Sequence, residues 1–100
     1  MNNSEIIRTE NVLVRQMELE NGASTEWHYH TEVTDYFVCL TGSIKVEIKN
    51  HDDAPILLPG HQAEVHPPQI HRVVNSFACK SLYLLIQGVG KYDFITSNQQ

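Results

Sequence analysis

The stretch of sequence that decides the fold is GASTEWHYHTEVTDYFVCLTG, residues 22–42. It places His28 and His30 one residue apart among aromatic and β-branched residues. Because alternate side chains of a β-strand point to the same face, both imidazoles are expected to project into one interior. The pair is typical of two ligands of a bound transition metal, and His71 further along the chain is a third candidate.

Short apolar or alternating runs recur along the chain and are separated by turn residues. The runs are rich in Val, Ile, Leu, Tyr and Phe, and Gly, Asn, Asp or Pro bound them, which favours strands over helices. The expected strands are 12–19, 35–40, 43–49, 55–58, 62–66, 70–74, 80–87 and 91–95. About eight to ten short strands with regular turns predict a sandwich or barrel rather than βαβ units.

Composition predicts one compact domain over residues 1–100. The chain is 41% hydrophobic, which supports a folded core rather than a disordered chain. Its formal net charge is −5 and its seven Lys and Arg are scattered, so nucleic acid is not an expected partner. The N-terminus lacks signal-peptide features and no apolar run is long enough for a membrane helix, so we expect a cytoplasmic protein without a membrane partner.

Several Cys, His and aromatic residues are assigned no site role. Cys39 and Cys79 form no CxxC pair, and both are expected to be buried as small hydrophobic residues. His51 and His61 lie beside turn residues and are expected on the surface. Trp27 is out of phase with His28 on a strand, so it is expected to pack outside the interior.

Two segments of the chain combine glycines and histidines at fixed spacings. Residues 22–42 run Gly, five residues, His, one residue, His, four residues, Asp, six residues, Gly. The second segment, GHQAEVHPPQIHRVVN at residues 60–75, runs from a glycine through His66, Pro68 and His71 to Asn75. Together they resemble the two motifs of the cupin superfamily, and the chain is most similar to its small single-domain members, the monocupins.

The resemblance implies an all-β fold, a single jelly-roll (cupin) β-barrel. It also implies that the first motif supplies His28, His30 and Asp35 as metal ligands and that the second supplies His71. The implied cofactor is a divalent transition metal ion, Fe, Mn, Ni, Cu or Zn, because nitrogen and oxygen ligands suit all of these.

The motifs also contain positions with a structural role and positions that depart from the family pattern. The structural positions, where a positive φ or a close backbone approach is usual, are Gly22, Gly42, Gly60 and Asn75. The family usually has Glu at Asp35, and a proline and a glycine at His66 and Pro68. Three options therefore stay open for Asp35: direct binding, binding through water, or a three-histidine centre. Glu32 is the rival carboxylate, but the six-residue interval to Gly42 favours Asp35.

Two of the expected strands are apolar on both faces. With Asp35 turned inward, Tyr36, Val38 and Leu40 share the opposite face, and residues 82–86 are apolar on both sides. A small barrel cannot bury both faces by itself, so we expect a homodimer formed sheet to sheet. A monomer would expose a large apolar patch.

Three functions are compatible with this site. The leading one is a metal-dependent enzyme acting on a small polar organic acid or carbonyl compound by lyase, isomerase or dioxygenase chemistry, with Phe37 shaping the pocket. No general base is evident beyond the ligands, although Glu64 and His66 are candidates. The alternatives are a non-catalytic small-molecule binding or sensor barrel, and a metal-free sugar epimerase-like barrel that uses His71 and a tyrosine as acid and base.

Overall fold

The chain folds into two antiparallel five-stranded sheets. The computed structural model describes residues 3–97. Strands of that part of the chain are, in order, β1 (Asn3–Arg8), β2 (Val12–Leu19), β3 (His28–Tyr29), β4 (Thr34–Thr41), β5 (Ile44–Ile48), β6 (Ile56–Leu57), β7 (Gln62–Val65), β8 (His71–Val74), β9 (Ser81–Gly88) and β10 (Ile95–Thr96). The first sheet has the order β1-β2-β9-β4-β7 and the second has the order β10-β3-β8-β5-β6. The described residues form no helix that is long and apolar enough to cross a membrane.

Alternation of side chains along the strands builds a core between the two sheets. In β9, Ser81, Tyr83, Leu85 and Gln87 are buried, whereas the residues between them are half-buried on the opposite face. Each large apolar side chain that is fully buried stabilises the fold by about 1.5–3 kcal/mol. The core cluster consists of Met17, Leu19, Phe37, Cys39, Ile44, Val46, Leu57, Val65, Val73, Tyr83 and Leu85.

The predicted strands agree with the observed ones over most of the chain. β2 has the predicted bounds, and β4 to β9 each differ from the prediction by at most one residue at either end. β1 was not predicted. All of its residues are exposed, so its sequence carries no alternation of buried and exposed positions.

The strand predicted at 91–95 was wrong. Of these residues only Ile95 belongs to a strand, and 91–94 form no regular structure. The Asp93 carboxylate accepts hydrogen bonds from the Thr31 backbone N–H at 2.9 Å and the Thr31 hydroxyl at 2.6 Å. These side-chain contacts replace a strand ladder.

His30 was expected on one strand with His28, but it lies just beyond the end of β3.

The turn residues of the two motifs have the predicted structural roles. Gly22, Gly42 and Gly60 all have positive φ, between 75° and 88°. Asn75 is fully buried, and its side-chain NH₂ donates to the Leu19 carbonyl at 2.8 Å and to the Cys79 carbonyl at 2.9 Å. These bonds fix the loop after β8, in which residues 76–80 are exposed.

The prediction that both cysteines are buried was wrong for one of them. Cys39 is buried in the core, whereas Cys79 is exposed. Cys79 belongs to the exposed loop that Asn75 anchors, and its neighbours on both sides are exposed as well. Its position therefore follows from the loop and not from the apolar character of its side chain.

One side of the first sheet is an apolar outer face. Val38 lies opposite Leu84, and Tyr36 lies opposite Ile86, in the β4–β9 pair. Tyr36 and Leu40 are 40% and 38% exposed, which is high for large apolar residues on a central strand. The residues of this apolar outer face are Tyr36, Val38, Leu40, Leu82, Leu84 and Ile86. A homodimer that covers it stays a prediction.

We predict that Gly42→Ala destabilises the protein more than Gly22→Ala. Both positions have positive φ, which costs a residue with a Cβ about 1–3 kcal/mol. At Gly42 the added Cβ would also collide with the buried Ser81 hydroxyl, which accepts from the Ser43 N–H and donates to the Ser43 carbonyl. At Gly22 the added Cβ meets no atom within 4 Å. Chemical denaturation measures the difference, and equal losses would contradict this account of the turn.

We also predict that Leu84→Glu converts a dimer into a monomer. The substitution places a charge at the centre of the apolar outer face, where a partner copy would have to desolvate it. Ile56→Glu is the matched control, because Ile56 is exposed on the second sheet. Size-exclusion chromatography with light scattering reports the mass. A monomeric wild-type protein would contradict the prediction.

Candidate metal centre

The two sheets bring His28, His30, Asp35 and His71 to one point. One potential ligand atom from each residue lies within 4.8 Å of the others. All four side chains are buried, with exposures between 1% and 6%. The four residues named from the sequence therefore form one buried cluster, which we call the ligand cluster.

Strand register explains why these side chains converge. His28 of β3 and His71 of β8 are direct cross-strand partners in the second sheet. Asp35 of β4 lies opposite Gln87 of β9 in the first sheet. Opposed residues of an antiparallel pair project to the same face. The two pairs therefore meet in the interior between the sheets, and His30 joins them from the loop after β3.

Each imidazole of the ligand cluster is oriented by a backbone carbonyl. The hydrogen bonds join Nδ1 of His28 to the Glu26 oxygen at 2.7 Å, Nδ1 of His30 to the Asp93 oxygen at 2.6 Å, and Nδ1 of His71 to the Gln69 oxygen at 2.8 Å. Because a carbonyl oxygen only accepts, Nδ1 carries the proton in all three rings. Nε2 is left free to act as a ligand, as it is in many metal-bound histidines.

The contacts of Asp35 provide a test of whether a metal fits. Its Oδ2 lies 3.0 Å from Nε2 of His30 and 2.8 Å from Nε2 of His71. If both rings are neutral, with their proton on Nδ1, then two nitrogen lone pairs face a carboxylate oxygen. An added proton or a cation must offset that repulsion. Three imidazole nitrogens and one carboxylate oxygen form a donor set that suits a divalent transition metal ion.

Burial and neighbouring charge shift the pKa values within the ligand cluster. Burial lowers the pKa of His28 to about 4, although its hydrogen bond to the Glu26 carbonyl acts in the opposite direction. Burial also disfavours the charged form of His30, but the hydrogen bond and charge of Asp35 raise its pKa overall. Burial alone would raise the pKa of Asp35, but its close contacts with His30 and His71 hold the pKa well below its usual range. The cluster therefore favours an ionised carboxylate beside a neutral His28.

Gln87 and Arg15 also belong to this site, and the sequence did not reveal them. The Gln87 NH₂ donates to Oδ1 of Asp35 at 2.9 Å, and its Oε1 accepts from the Arg15 guanidinium at 2.5 Å. Gln87 is only 1% exposed, so both bonds are made in the interior. The signal that could have identified Gln87 is its position in the alternation along β9, because it shares the inward face with Tyr83 and Leu85.

A cavity of about 280 Å³ adjoins the ligand cluster. Phe37 lines it, as predicted, and Phe94 stacks on His28 with ring centroids 4.3 Å apart and planes 17° apart. The other apolar or aromatic lining residues are Met17, Val73, Tyr83, Leu85 and Tyr92. A larger groove of about 540 Å³ lies beside Trp27 and is lined by none of the cluster residues.

Other candidates from the sequence lie outside the cluster. Glu32 is exposed, and its carboxylate accepts a hydrogen bond from the Lys91 N–H at 2.9 Å, so Asp35 is the carboxylate that joins the histidines. Glu64 and His66 are both exposed and do not line the cavity. Neither is placed to act as a general base there.

The side chains expected to lie away from the interior are placed as predicted. His51 and His61 are exposed. Trp27 is half-buried outside the cavity, where the Arg72 guanidinium lies 4.6 Å from its ring centroid.

Comparison of the sequence with protein-family models and with curated proteins gave no match. Comparison of the fold with solved structures gave many. An uncharacterized conserved protein with a double-stranded β-helix domain from Klebsiella pneumoniae matches with a TM-score of 0.85 and 19% identity, over 98% of this chain and 84% of that one. A cupin-like protein from Thermotoga maritima matches with a TM-score of 0.81 and 20% identity, over 95% and 75%. The polyketide cyclase RemF from Streptomyces resistomycificus matches with a TM-score of 0.81 and 15% identity, over 98% and 71%.

These likenesses establish the fold. The chain has the cupin fold, also called the double-stranded β-helix, as its two motifs predicted. At these levels of sequence identity the solved structures say nothing about the substrate of this chain. The features of this chain that bear on function are the ligand cluster and its cavity.

We predict that Gln87→Leu lowers the free energy of unfolding by about 1–3 kcal/mol, because it leaves a buried carboxylate oxygen of Asp35 without its donor. Gln62→Leu, at an exposed position of β7, is the matched control and is expected to change stability by less than about 0.5 kcal/mol. Urea denaturation of both variants gives the comparison. If Gln87→Leu were as stable as its control, the amide would have no part in supporting Asp35.

Proposed function

We propose that this protein is a metal-dependent enzyme that acts on a small polar organic acid or carbonyl compound. The observation that carries the proposal is the buried ligand cluster beside a cavity. Four buried titratable side chains are costly to an apolar core unless something compensates them. A bound ion would compensate all four at once.

The metal ion would be held by Nε2 of His28, His30 and His71 and by the Asp35 carboxylate. A divalent transition metal ion bound there would act as a Lewis acid toward a substrate oxygen and fix its position. The ligand chemistry is compatible with Fe, Mn, Ni, Cu or Zn.

The remaining residues of the site hold the ligands and control the cavity. The backbone carbonyls of Glu26, Gln69 and Asp93 fix the ring orientations, and Gln87 fixes Asp35. Apolar side chains such as Phe37 line part of the cavity, and the lower local dielectric beside them strengthens electrostatic contacts made there. These features suit a site that must place one small substrate against the cluster.

Catalysis is favoured over simple binding by how the site is built. Its ligand side chains are oriented before a substrate arrives, and preorganised polar groups are a major source of catalytic power. The fold also hosts enzymes, since the similar RemF is a polyketide cyclase. Lyase, isomerase and dioxygenase chemistry are all compatible with the residues present, and a non-catalytic sensor would bind without turnover.

We predict that the protein binds about one divalent transition metal ion per chain, and that His71→Ala weakens this binding at least tenfold because it removes one of four ligands. His61→Ala is the matched control, because His61 is exposed and lies outside the cluster. Elemental analysis of protein purified without chelator gives the stoichiometry. A rise in Tm on metal addition, absent in His71→Ala, gives an independent readout.

Protein that takes up no metal from any of the five ions would refute the proposed function. It would favour instead the metal-free barrel, in which His71 and a tyrosine act as acid and base. Metal uptake that is equal in His71→Ala and His61→Ala would show that the ion binds elsewhere.

A further inference from the structure

Arg15 is a cation inside the cavity and has no part in the ligand cluster. It lies on β2 between the buried residues Leu13 and Met17, on the same inward face. It is the only Lys or Arg among the described residues that line the cavity. A guanidinium on the wall of a small cavity is expensive to desolvate and calls for a partner.

The hydrogen bonds of Arg15 are incomplete. One terminal nitrogen donates to Oε1 of Gln87 at 2.5 Å, and the guanidinium carbon lies 5.4 Å from the centroid of the Tyr92 ring. Its Nε is buried and has no hydrogen-bond partner among residues 3–97. Buried donors of this kind are nearly always paired, so the guanidinium of Arg15 has unused hydrogen-bonding capacity.

No carboxylate of the described residues forms a salt bridge with Arg15, although the charge of Glu5 acts on it from a distance. Glu5 lies opposite it across the β1–β2 pair, but the Glu5 carboxylate is bonded to Arg8 at 2.6 Å. Asp35 is engaged by His30, His71 and the Gln87 amide. The other carboxylate residue on the lining, Glu26, is exposed.

The charges of the site favour an anion. A divalent ion with three neutral imidazoles and one carboxylate leaves a net positive charge at the ligand cluster. Arg15 adds a second positive charge, with only a neutral amide between its guanidinium and Asp35. Two positive charges in a cavity with apolar walls attract and hold a negatively charged ligand.

We propose that Arg15 binds the carboxylate of the substrate, which is therefore a small carboxylic acid. This inference rests on the proposed function. The planar fork of a guanidinium matches a carboxylate. Because one glutamine side chain separates Arg15 from Asp35, a second oxygen close to the carboxylate would lie toward the ligand cluster. A 2-hydroxy or 2-oxo acid has this arrangement.

Cavity size and lining limit the rest of the substrate. A volume of about 280 Å³ equals the space of about nine water molecules. Phe37, Val73 and Leu85 give the cavity an apolar side. These features suit a short-chain acid with a small apolar part.

The test is calorimetric titration of metal-loaded protein with lactate and with lactamide, its neutral amide of the same shape. We expect lactate to bind wild-type protein more tightly than lactamide. In Arg15→Met the Kd for lactate should rise at least about tenfold, whereas the Kd for lactamide should change less than about twofold. Arg72→Met is the matched control, since Arg72 bonds to Glu47 and contacts the Trp27 ring outside the cavity, and it should change neither Kd.

Elemental analysis of each variant separates loss of metal from loss of Arg15. If Arg15→Met fails to fold or to hold metal, Arg15→Lys, which keeps the charge but lacks Nε and the fork, should raise the Kd for lactate several-fold. Equal lactate binding by wild-type protein and the Arg15 variant, or no lactate binding by wild-type protein, would overturn the proposal. If wild-type protein takes up no metal, the proposed function fails. The same titration of metal-free protein then decides whether lactate binding depends on Arg15.

Discussion

The site depends on one constraint: the carboxylate of Asp35 is buried, and the groups around it provide few hydrogen-bond donors. Two imidazole nitrogens approach one of its oxygens, and the side-chain amide of Gln87 donates to the other. The three rings cannot turn to relieve the contact, because backbone carbonyls hold their Nδ1 protons. A positive charge at the cluster resolves the conflict, and both sheets must pack correctly for the cluster to exist.

Charge is ordered along a line that runs from the cluster into the cavity. Asp35 carries the negative charge, and the Arg15 guanidinium carries a positive charge at the cavity wall. The Gln87 amide lies between them, donating to Asp35 and accepting from Arg15. The neutral amide keeps Arg15 from forming an ion pair with Asp35, which would cancel both charges. The arrangement therefore leaves each group available for a different partner, the carboxylate for a metal ion and the guanidinium for an anion.

Sequence reasoning was strongest where a local rule fixes the outcome. Short apolar or alternating runs located β2 and β4 to β9, and the motif spacings selected Asp35 over Glu32. It failed where contacts between residues distant in the sequence determine the local structure or the role of a side chain. Exposed β1 has no alternation to detect, and residues 91–94 form side-chain contacts instead of a ladder. Gln87 and Arg15 belong to no motif, and their roles arise only because β2, β9 and β4 are neighbours in the sheet.

The irregular segment at residues 91–94 touches three separate parts of the site. The backbone oxygen of Asp93 orients His30, the Phe94 ring covers His28, and the Tyr92 ring lies beside the Arg15 guanidinium. Because no ladder constrains these residues, the side chains of Tyr92 and Phe94 can vary without breaking hydrogen bonds of either sheet. Replacing this short segment with that of another protein of the same fold should therefore change the substrate preference while leaving both sheets unchanged.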